Sequence, residues 1–236
     1  MTLLSTRGLT KRFDGLHAVE DVDFDLPEGQ VRALIGPNGA GKTTVVGMLG
    51  GRITPSAGTV AFAGRDISHL PAHRRIGLGM AYTFQITSVF ARLSVAENVA
   101  LAARRKVRGA LGVRRMVARS LARVGLEGQS GQIAGTLSYG HQRLLEIAMG
   151  LAQRPRLLIL DEPTQGLSEA EITGFKALLR DLSASATILL IEHNMSVVME
   201  TADRVTVLDF GRILAEGSPA EIHADRAVQA AYLGTA

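Results

Sequence analysis

The sequence predicts an α/β fold with a helical block set into it. Three strand-length apolar runs, residues 31–35, 157–160 and 187–191, each lead through a loop into apolar residues at helical spacing. Between residues 93 and 151 the period is helical instead.

Taken in order, residues 3–8 read as a strand. Residues 18–26 read as a second, alternating Val22, Phe24 and Leu26, and Pro27-Glu28-Gly29 forms the turn before the run 31–35. Residues 36–41 break the pattern with glycines, and 42–49 follow as a helix. A hairpin-like stretch at 58–64 closes this first part. In the helical block, Val95, Val99 and Ala102 recur at helical spacing; Val113, Val117, Leu121 and Val124 form a stripe opposite Arg115, Arg119 and Arg123. From Arg156 the α/β grammar resumes: strand 157–160, helix 169–182, strand 187–191, helix 196–202 and strand 204–208. Ser168-Glu169-Ala170-Glu171 and Ser218-Pro219-Ala220-Glu221 are capping boxes that start helices, the second with Pro at its first helical position. No internal repeat or low-complexity tract interrupts the chain.

At 236 residues the chain can bury a large core, since chains of ~150 to ~300 residues hide roughly 70–75% of their unfolded surface. It contains no Cys, which excludes a disulfide framework, an iron–sulfur cluster and a thiol nucleophile, and fits a reducing compartment. The N-terminus lacks a signal-peptide pattern, and the apolar runs fall far short of the ~20 residues of a spanning helix. The expectation is a cytoplasmic chain that does not itself cross a membrane. Net charge is +4, but Arg104, Arg105, Lys106, Arg108, Arg114, Arg115, Arg119 and Arg123 all fall within residues 101–124, which hold no acid. The rest of the chain is therefore net acidic. With 4% aromatics and no Trp, the charge does not point to nucleic acid. A solvated helix face is the ordinary reading of such a run, and contact with anionic headgroups the functional one.

Gly36-Pro37-Asn38-Gly39-Ala40-Gly41-Lys42-Thr43 is a full phosphate-loop motif between strand and helix. Its glycines let backbone N–H groups turn toward phosphate oxygens, Lys42 reaches the β- and γ-phosphates, and the Thr43 hydroxyl suits Mg²⁺. Leu157-Leu158-Ile159-Leu160 ends in Asp161-Glu162, two carboxylates at a strand's C-terminal end, where open α/β sheets gather ligands. Asp161 is the candidate metal holder. Glu162 is the candidate for orienting or deprotonating the attacking water.

Leu137-Ser138-Tyr139-Gly140-His141-Gln142, about twenty residues before the Asp-Glu pair, resembles the LSGGQ signature of ABC-transporter ATPases. The order phosphate loop, signature, Asp-Glu, His extends the resemblance over the whole chain. It implies a P-loop NTPase (RecA-like) core with an N-terminal antiparallel β subdomain and an inserted α-helical subdomain, the core comprising 1–88 and 152–236 and the signature subdomain 89–151. It further implies that Phe13 stacks on adenine, that Gln85 contacts Mg²⁺ and water, and that His193 touches the γ-phosphate. Gly36, Pro37, Asn38, Gly39, Ala40, Gly41, Lys42, Thr43 and Thr44 would hold ATP, and Thr43, Gln85 and Asp161 the metal. Lys42, Gln85, Glu162 and His193 would carry the catalysis. Ser138 and Gly140 would serve a nucleotide held by a second ATPase protomer, and Gly166-Leu167-Ser168 would cross the dimer interface. Tyr139 replaces a glycine of the commonest signature, which reduces flexibility there, and His141 also departs from it.

Tyr139, the string Ile191-Glu192-His193-Asn194-Met195 and the tail Ala227-Val228-Gln229-Ala230-Ala231-Tyr232-Leu233-Gly234 look like the ATPases of branched-chain (hydrophobic) amino acid importers. The resemblance implies permease subunits, a second ATPase protomer and a substrate-binding protein as partners, with the chain peripheral on the inner face of the membrane. Urea or amide importers and a lipopolysaccharide-export ATPase have similar chains. A soluble ATPase acting on a protein scaffold would keep every motif. A switch GTPase would need an N-K-x-D motif, which does not occur.

Overall fold

Two sheets organise the chain, and the computed structural model describes residues 1–83 and 88–233 of it. In chain order the strands are β1 (Thr2–Phe13), β2 (Leu16–Pro27), β3 (Val31–Ile35), β4 (Ala57–Phe62), β5 (Arg65–Asp66), β6 (Met80–Thr83), β7 (Leu157–Asp161), β8 (Thr187–Ile191), β9 (Arg204–Asp209) and β10 (Arg212–Gly217). The helices are α1 (Lys42–Leu49), α2 (Ala72–Leu78), α3 (Val95–Ala103), α4 (Ala110–Arg123), α5 (Tyr139–Ala152), α6 (Glu169–Ser183), α7 (Met195–Thr201), α8 (Pro219–Ala224) and α9 (Arg226–Leu233).

The smaller sheet is antiparallel, in the order β2-β1-β4-β5. Its first two strands outrun the sequence expectation and meet at Asp14-Gly15, whose φ values of 42° and 91° make a two-residue turn. Asp-Gly suits such a turn because both central residues need positive φ. The larger sheet runs β10-β9-β3-β8-β7-β6, parallel from β9 to β6, with β10 antiparallel at one edge.

Both faces of the larger sheet are covered, which is why its strands are continuous apolar runs. Alternation then divides the core. Leu158, Leu160, Ile188 and Leu190 face the helical block, joining Val99 of α3, Leu121 of α4, Leu145 of α5 and Phe175 of α6. Leu157, Ile159, Leu189 and Ile191 face the antiparallel sheet, with Val46 and Leu49 of α1 between them and Leu4, Phe24 and Val60. Ala33, Ile35, Val205 and Val207 pack under α7, α8 and α9.

Three strands and two helices escaped the sequence reading, β5, β6, β10, α2 and α9, because each is short and the three strands lie at sheet edges. A third capping box, Ser94 with Glu97, opens α3. On α4 the buried residues are Met116, Ser120 and Leu121, with Val124 just beyond. Val113 and Val117 of the expected stripe are half-buried, because they line a cavity of about 910 Å³ between α3 and α4. Arg115 and Arg119 are exposed, as expected for the opposite face. Among the described residues no helix is long and apolar enough to cross a membrane.

Candidate active site

The strand order turns motifs scattered along the chain into one row. The carboxyl ends of β3, β8 and β7 lie side by side. From them emerge the phosphate loop, the Glu192-His193 pair and the Asp161-Glu162 pair, at the edge where open α/β sheets bind ligands. β6 neighbours β7 and ends at Thr83, while Gln85 lies outside the described residues.

The phosphate loop is pressed between two backbones. Gly36 has φ 152°, and a Cβ there would lie 2.1 Å from the Leu208 carbonyl oxygen. Gly41, with φ 97°, leaves only 2.6 Å to the Ala18 carbonyl for the same atom. Only glycine fits either position. Gly41 is also the N-cap of α1 and makes no side-chain cap bond, so the helix turns an uncapped, partially positive end to the loop. The other end of α1 is secured. The buried Arg75 guanidinium donates to the Met48 and Leu49 carbonyls at 2.7 and 2.8 Å, and burial pushes its pKa down to about 10. A cation there complements the carbonyl end of the helix.

Lys42 is buried and folds back on the loop, its Nζ donating to Gly36 O (2.6 Å) and Pro37 O (3.0 Å). Burial lowers its pKa, while Glu162 and Asp161 act in the opposite direction. Asn38, Gly39 and Thr43 are exposed, Pro37 and Thr44 half-buried, Ala40 buried. The tail returns here as well: burial raises the Tyr232 phenol, with the Gly36 backbone opposing.

Asp161 is 4% exposed and accepts a 2.5 Å hydrogen bond from the Tyr82 hydroxyl. Burial raises its pKa, and the Tyr82 bond works against that. Arg52 lies over the Tyr82 ring, 4.3 Å from its centroid, and donates to the same hydroxyl. Glu162, next in sequence, sits in the left-handed region at φ 46°, an uncommon conformation for a residue with a side chain. Its N–H donates to Ile191 O at 2.9 Å. His193 is exposed, and its backbone N–H donates to Glu192 Oε2 at 3.1 Å. Phe13 stands 43% exposed at the β1–β2 turn, with Lys11 Nζ 4.9 Å from its ring centroid.

The signature opens α5. Ser138 is its N-cap, exposed, its hydroxyl accepting from the His141 N–H at 3.2 Å. Gly140 is buried so closely against Glu171 that a Cβ would fall 2.1 Å from Oε1. The Tyr139 ring lies against Gly166 of the loop after β7. Among the described residues, no hydrogen bond joins residues 138–141 to the phosphate loop of the same chain. The structure brings Lys42, Asp161 and Glu162 together, and among the described residues no hydrogen bond links Ser138 or Gly140 to them.

Sequence reasoning missed Tyr82, Arg52, Arg75 and Glu192. The first three lie in unrecognised elements or loops, and only their placement reveals them. Glu192 carried a signal, an acid directly after a buried strand. The 910 Å³ cavity between α3 and α4 shares no residue with the phosphate loop, whose Asn38, Gly39 and Thr43 are exposed to solvent.

A phosphate loop at the head of α1 and a carboxylate pair at the end of a nearby parallel strand define a P-loop nucleotide-binding protein. Comparison with known proteins narrows this. The ABC transporter family model matches residues 19–165, and the model for Branched-chain amino acid ATP-binding cassette transporter matches residues 212–236. The chain is 39% identical over 251 residues to the high-affinity branched-chain amino acid transport ATP-binding protein BraF of Pseudomonas aeruginosa, covering 99% of this chain and 98% of that protein. It is 38% identical, with the same coverage, to LivG of Escherichia coli. Likeness to the lipopolysaccharide export system ATP-binding protein LptB of Acidithiobacillus ferridurans is 34% over 233 residues, covering 98% and 97%. A solved structure, the ADP conformation of the ATP-binding cassette MJ1267, matches at a TM-score of 0.89 and 27% identity over 99% of both chains. The chain belongs to the ABC transporter family, as an ATP-binding ATPase subunit of the branched-chain amino acid transporter type.

Proposed function

We propose that this ATPase powers the import of branched-chain or other hydrophobic amino acids as a head-to-tail ATP-sandwich dimer docked on permease subunits. The single observation that carries the substrate class is likeness along nearly the whole chain to BraF, together with the C-terminal match at 212–236. Residues 1–88 and 152–236 form the nucleotide-binding core and 89–151 the signature subdomain. A substrate-binding protein delivers cargo outside, and the ATPase stays on the inner membrane face. The 34% likeness to LptB makes lipid export the second reading.

Thr43 and Asp161 are hard oxygen donors of the kind Mg²⁺ takes alongside substrate phosphates, and Gln85 is their third partner. When bound, Mg²⁺ supplies charge neutralisation between the phosphates. Gly36 to Thr44 receive the phosphates on backbone N–H groups at the uncapped end of α1. Lys42 exchanges the Gly36 and Pro37 carbonyls for phosphate oxygens. Phe13, exposed at the hairpin tip, stacks on adenine. Glu162 takes the proton of the attacking water, and His193 donates to the γ-phosphate. The exposed phosphate-loop residues Asn38, Gly39 and Thr43, with no hydrogen bond from residues 138–141 to that loop among the described residues, support a second protomer that brings its own signature.

Glu162→Gln tests this directly. The variant keeps ATP affinity, loses about 10²- to 10⁴-fold in turnover, and accumulates an ATP-bound dimer on size exclusion; His193→Ala stalls likewise. Turnover at the wild-type rate in Glu162→Gln removes that residue from its role. Uptake of labelled leucine by vesicles holding the assembled complex, and no lipid extraction, separates the two substrate readings.

A further inference from the structure

Among the described residues, Glu192 is the most deeply buried carboxylate, with 0% of its surface exposed. Its two oxygens face two different loops. Oε1 accepts from the Thr164 N–H at 3.0 Å and the Thr164 hydroxyl at 2.5 Å. Oε2 accepts from the His193 and Asn194 N–H groups, each at 3.1 Å.

Thr164 belongs to the loop that begins at Glu162, and His193 to the loop that leaves β8. One carboxylate thus ties together the segments carrying the candidate base and the candidate γ-phosphate contact. The chemistry suits only a carboxylate. An ionised carboxyl is all acceptor, so four donors converging on it satisfy its charge inside the protein without a cation. An amide of the same shape turns N–H donors toward one of the two loops and loses that side.

The tie also bears on backbone strain. Glu162 is held at φ 46°, with its N–H on Ile191 O at 2.9 Å immediately before Glu192. A residue keeps such a conformation only when its surroundings over-determine it. Ile191 O restrains the loop at its start and Glu192 restrains it two residues later, through Thr164.

We propose that Glu192 is a positioning residue for hydrolysis, a latch that fixes Glu162 and His193 relative to one another through Thr164 and the His193 backbone. The inference rests on the roles given above to Glu162 and His193. It predicts a defect in turnover rather than in nucleotide binding, because no Glu192 bond reaches the phosphate loop.

The test is steady-state ATPase kinetics and ATP-dependent size exclusion on the full chain with Glu192→Gln, Thr164→Val and the double variant. Expected for Glu192→Gln is a kcat lowered about 10- to 100-fold, the scale of a misplaced catalytic group, with KM for ATP within about twofold of wild type. An ATP-bound dimer should accumulate as it does in Glu162→Gln. Thr164→Val should lower kcat less, and its effect should be smaller on the Glu192→Gln background, since the Thr164 hydroxyl acts through the Glu192 carboxylate. A wild-type kcat in Glu192→Gln overturns the latch. So does a loss of ATP affinity that accounts for the fall in rate, or independent, multiplicative effects of the two substitutions. If Glu162→Gln itself turns over normally, the reading of the site falls and the latch with it; if Glu162→Gln stalls while Glu192→Gln does not, the latch alone falls.

Discussion

At the scale of single residues, the candidate site depends on groups held by their neighbours. Asp161 is a buried carboxylate whose place is set by the Tyr82 hydroxyl, itself gripped by Arg52. Removing one hydrogen bond to a charged group costs about 1.5–3 kcal/mol. Tyr82→Phe should therefore raise the Mg²⁺ concentration for half-maximal nucleotide binding about tenfold or more, followed with a fluorescent ATP analogue. An unchanged Mg²⁺ requirement would reduce Tyr82 to packing. Lys42, Asp161 and Glu162 were all legible in the sequence, because a phosphate loop and an acid pair after an apolar run have fixed local patterns. Tyr82 and Arg52 were not legible, since they lie 79 residues or more from Asp161 along the chain and only the β6–β7 pairing brings Tyr82 beside it.

At the scale of elements, helix ends are finished by two kinds of device. Arg75 closes α1, and hydroxyl–carboxylate boxes open α3, α6 and α8. In the α8 box the Ser218 N–H and hydroxyl hold the Glu221 pKa below its ordinary value. A carboxylate whose pKa is lower folded than unfolded stabilises the fold above its unfolded pKa, and that contribution fades as pH falls through the folded one. Glu221→Gln keeps the box but not the charge. Urea denaturation should show wild type more stable than the variant at neutral pH, and the gap should close on acidification below the ordinary carboxylate range. A gap independent of pH would assign the effect to shape instead. Ser218→Ala, which removes the cap itself, should cost about 1 kcal/mol. Two of the three boxes were read from their spacing and the third, Ser94 with Glu97, has the same spacing, whereas the Arg75 cap joins elements with no sequence pattern in common.

For the whole molecule, exposed phosphate-loop residues and an exposed Ser138 that, among the described residues, makes no hydrogen bond to that loop suit two protomers that complete each other. Lys42→Ala and Ser138→Ala should each be inactive alone. Mixed in equal amounts they should recover up to about a quarter of wild-type turnover, since half the dimers are mixed and each mixed dimer holds one complete site. No recovery from two folded variants would place the completing signature on a different chain. The charge of the helical block is also a property of the assembled surface. Arg123 is drawn into a 2.7 Å ion pair with Asp181 of α6, so it braces the helical block against the core, while Arg115 and Arg119 stay in solvent. Eight cations that looked alike in the sequence are thereby divided between structure and surface.

By itself the sequence determined the fold class, the phosphate loop, the acid pair, the signature and the family, because each is written in contiguous residues or in their order. Tertiary structure alone decided which of these meet. The strand order β3-β8-β7 sets Glu192 and His193 between the phosphate loop and Asp161, an arrangement that chain order, with residue 193 last, does not contain. It also decided the partners of the buried polar groups: Tyr82 for Asp161, Thr164 for Glu192, two helix-end carbonyls for Arg75. The physical reason is common to both. Apolar periodicity requires only that a face be covered, whereas a polar group withdrawn from water needs a particular partner at hydrogen-bond distance, and long-range pairing of strands supplies it.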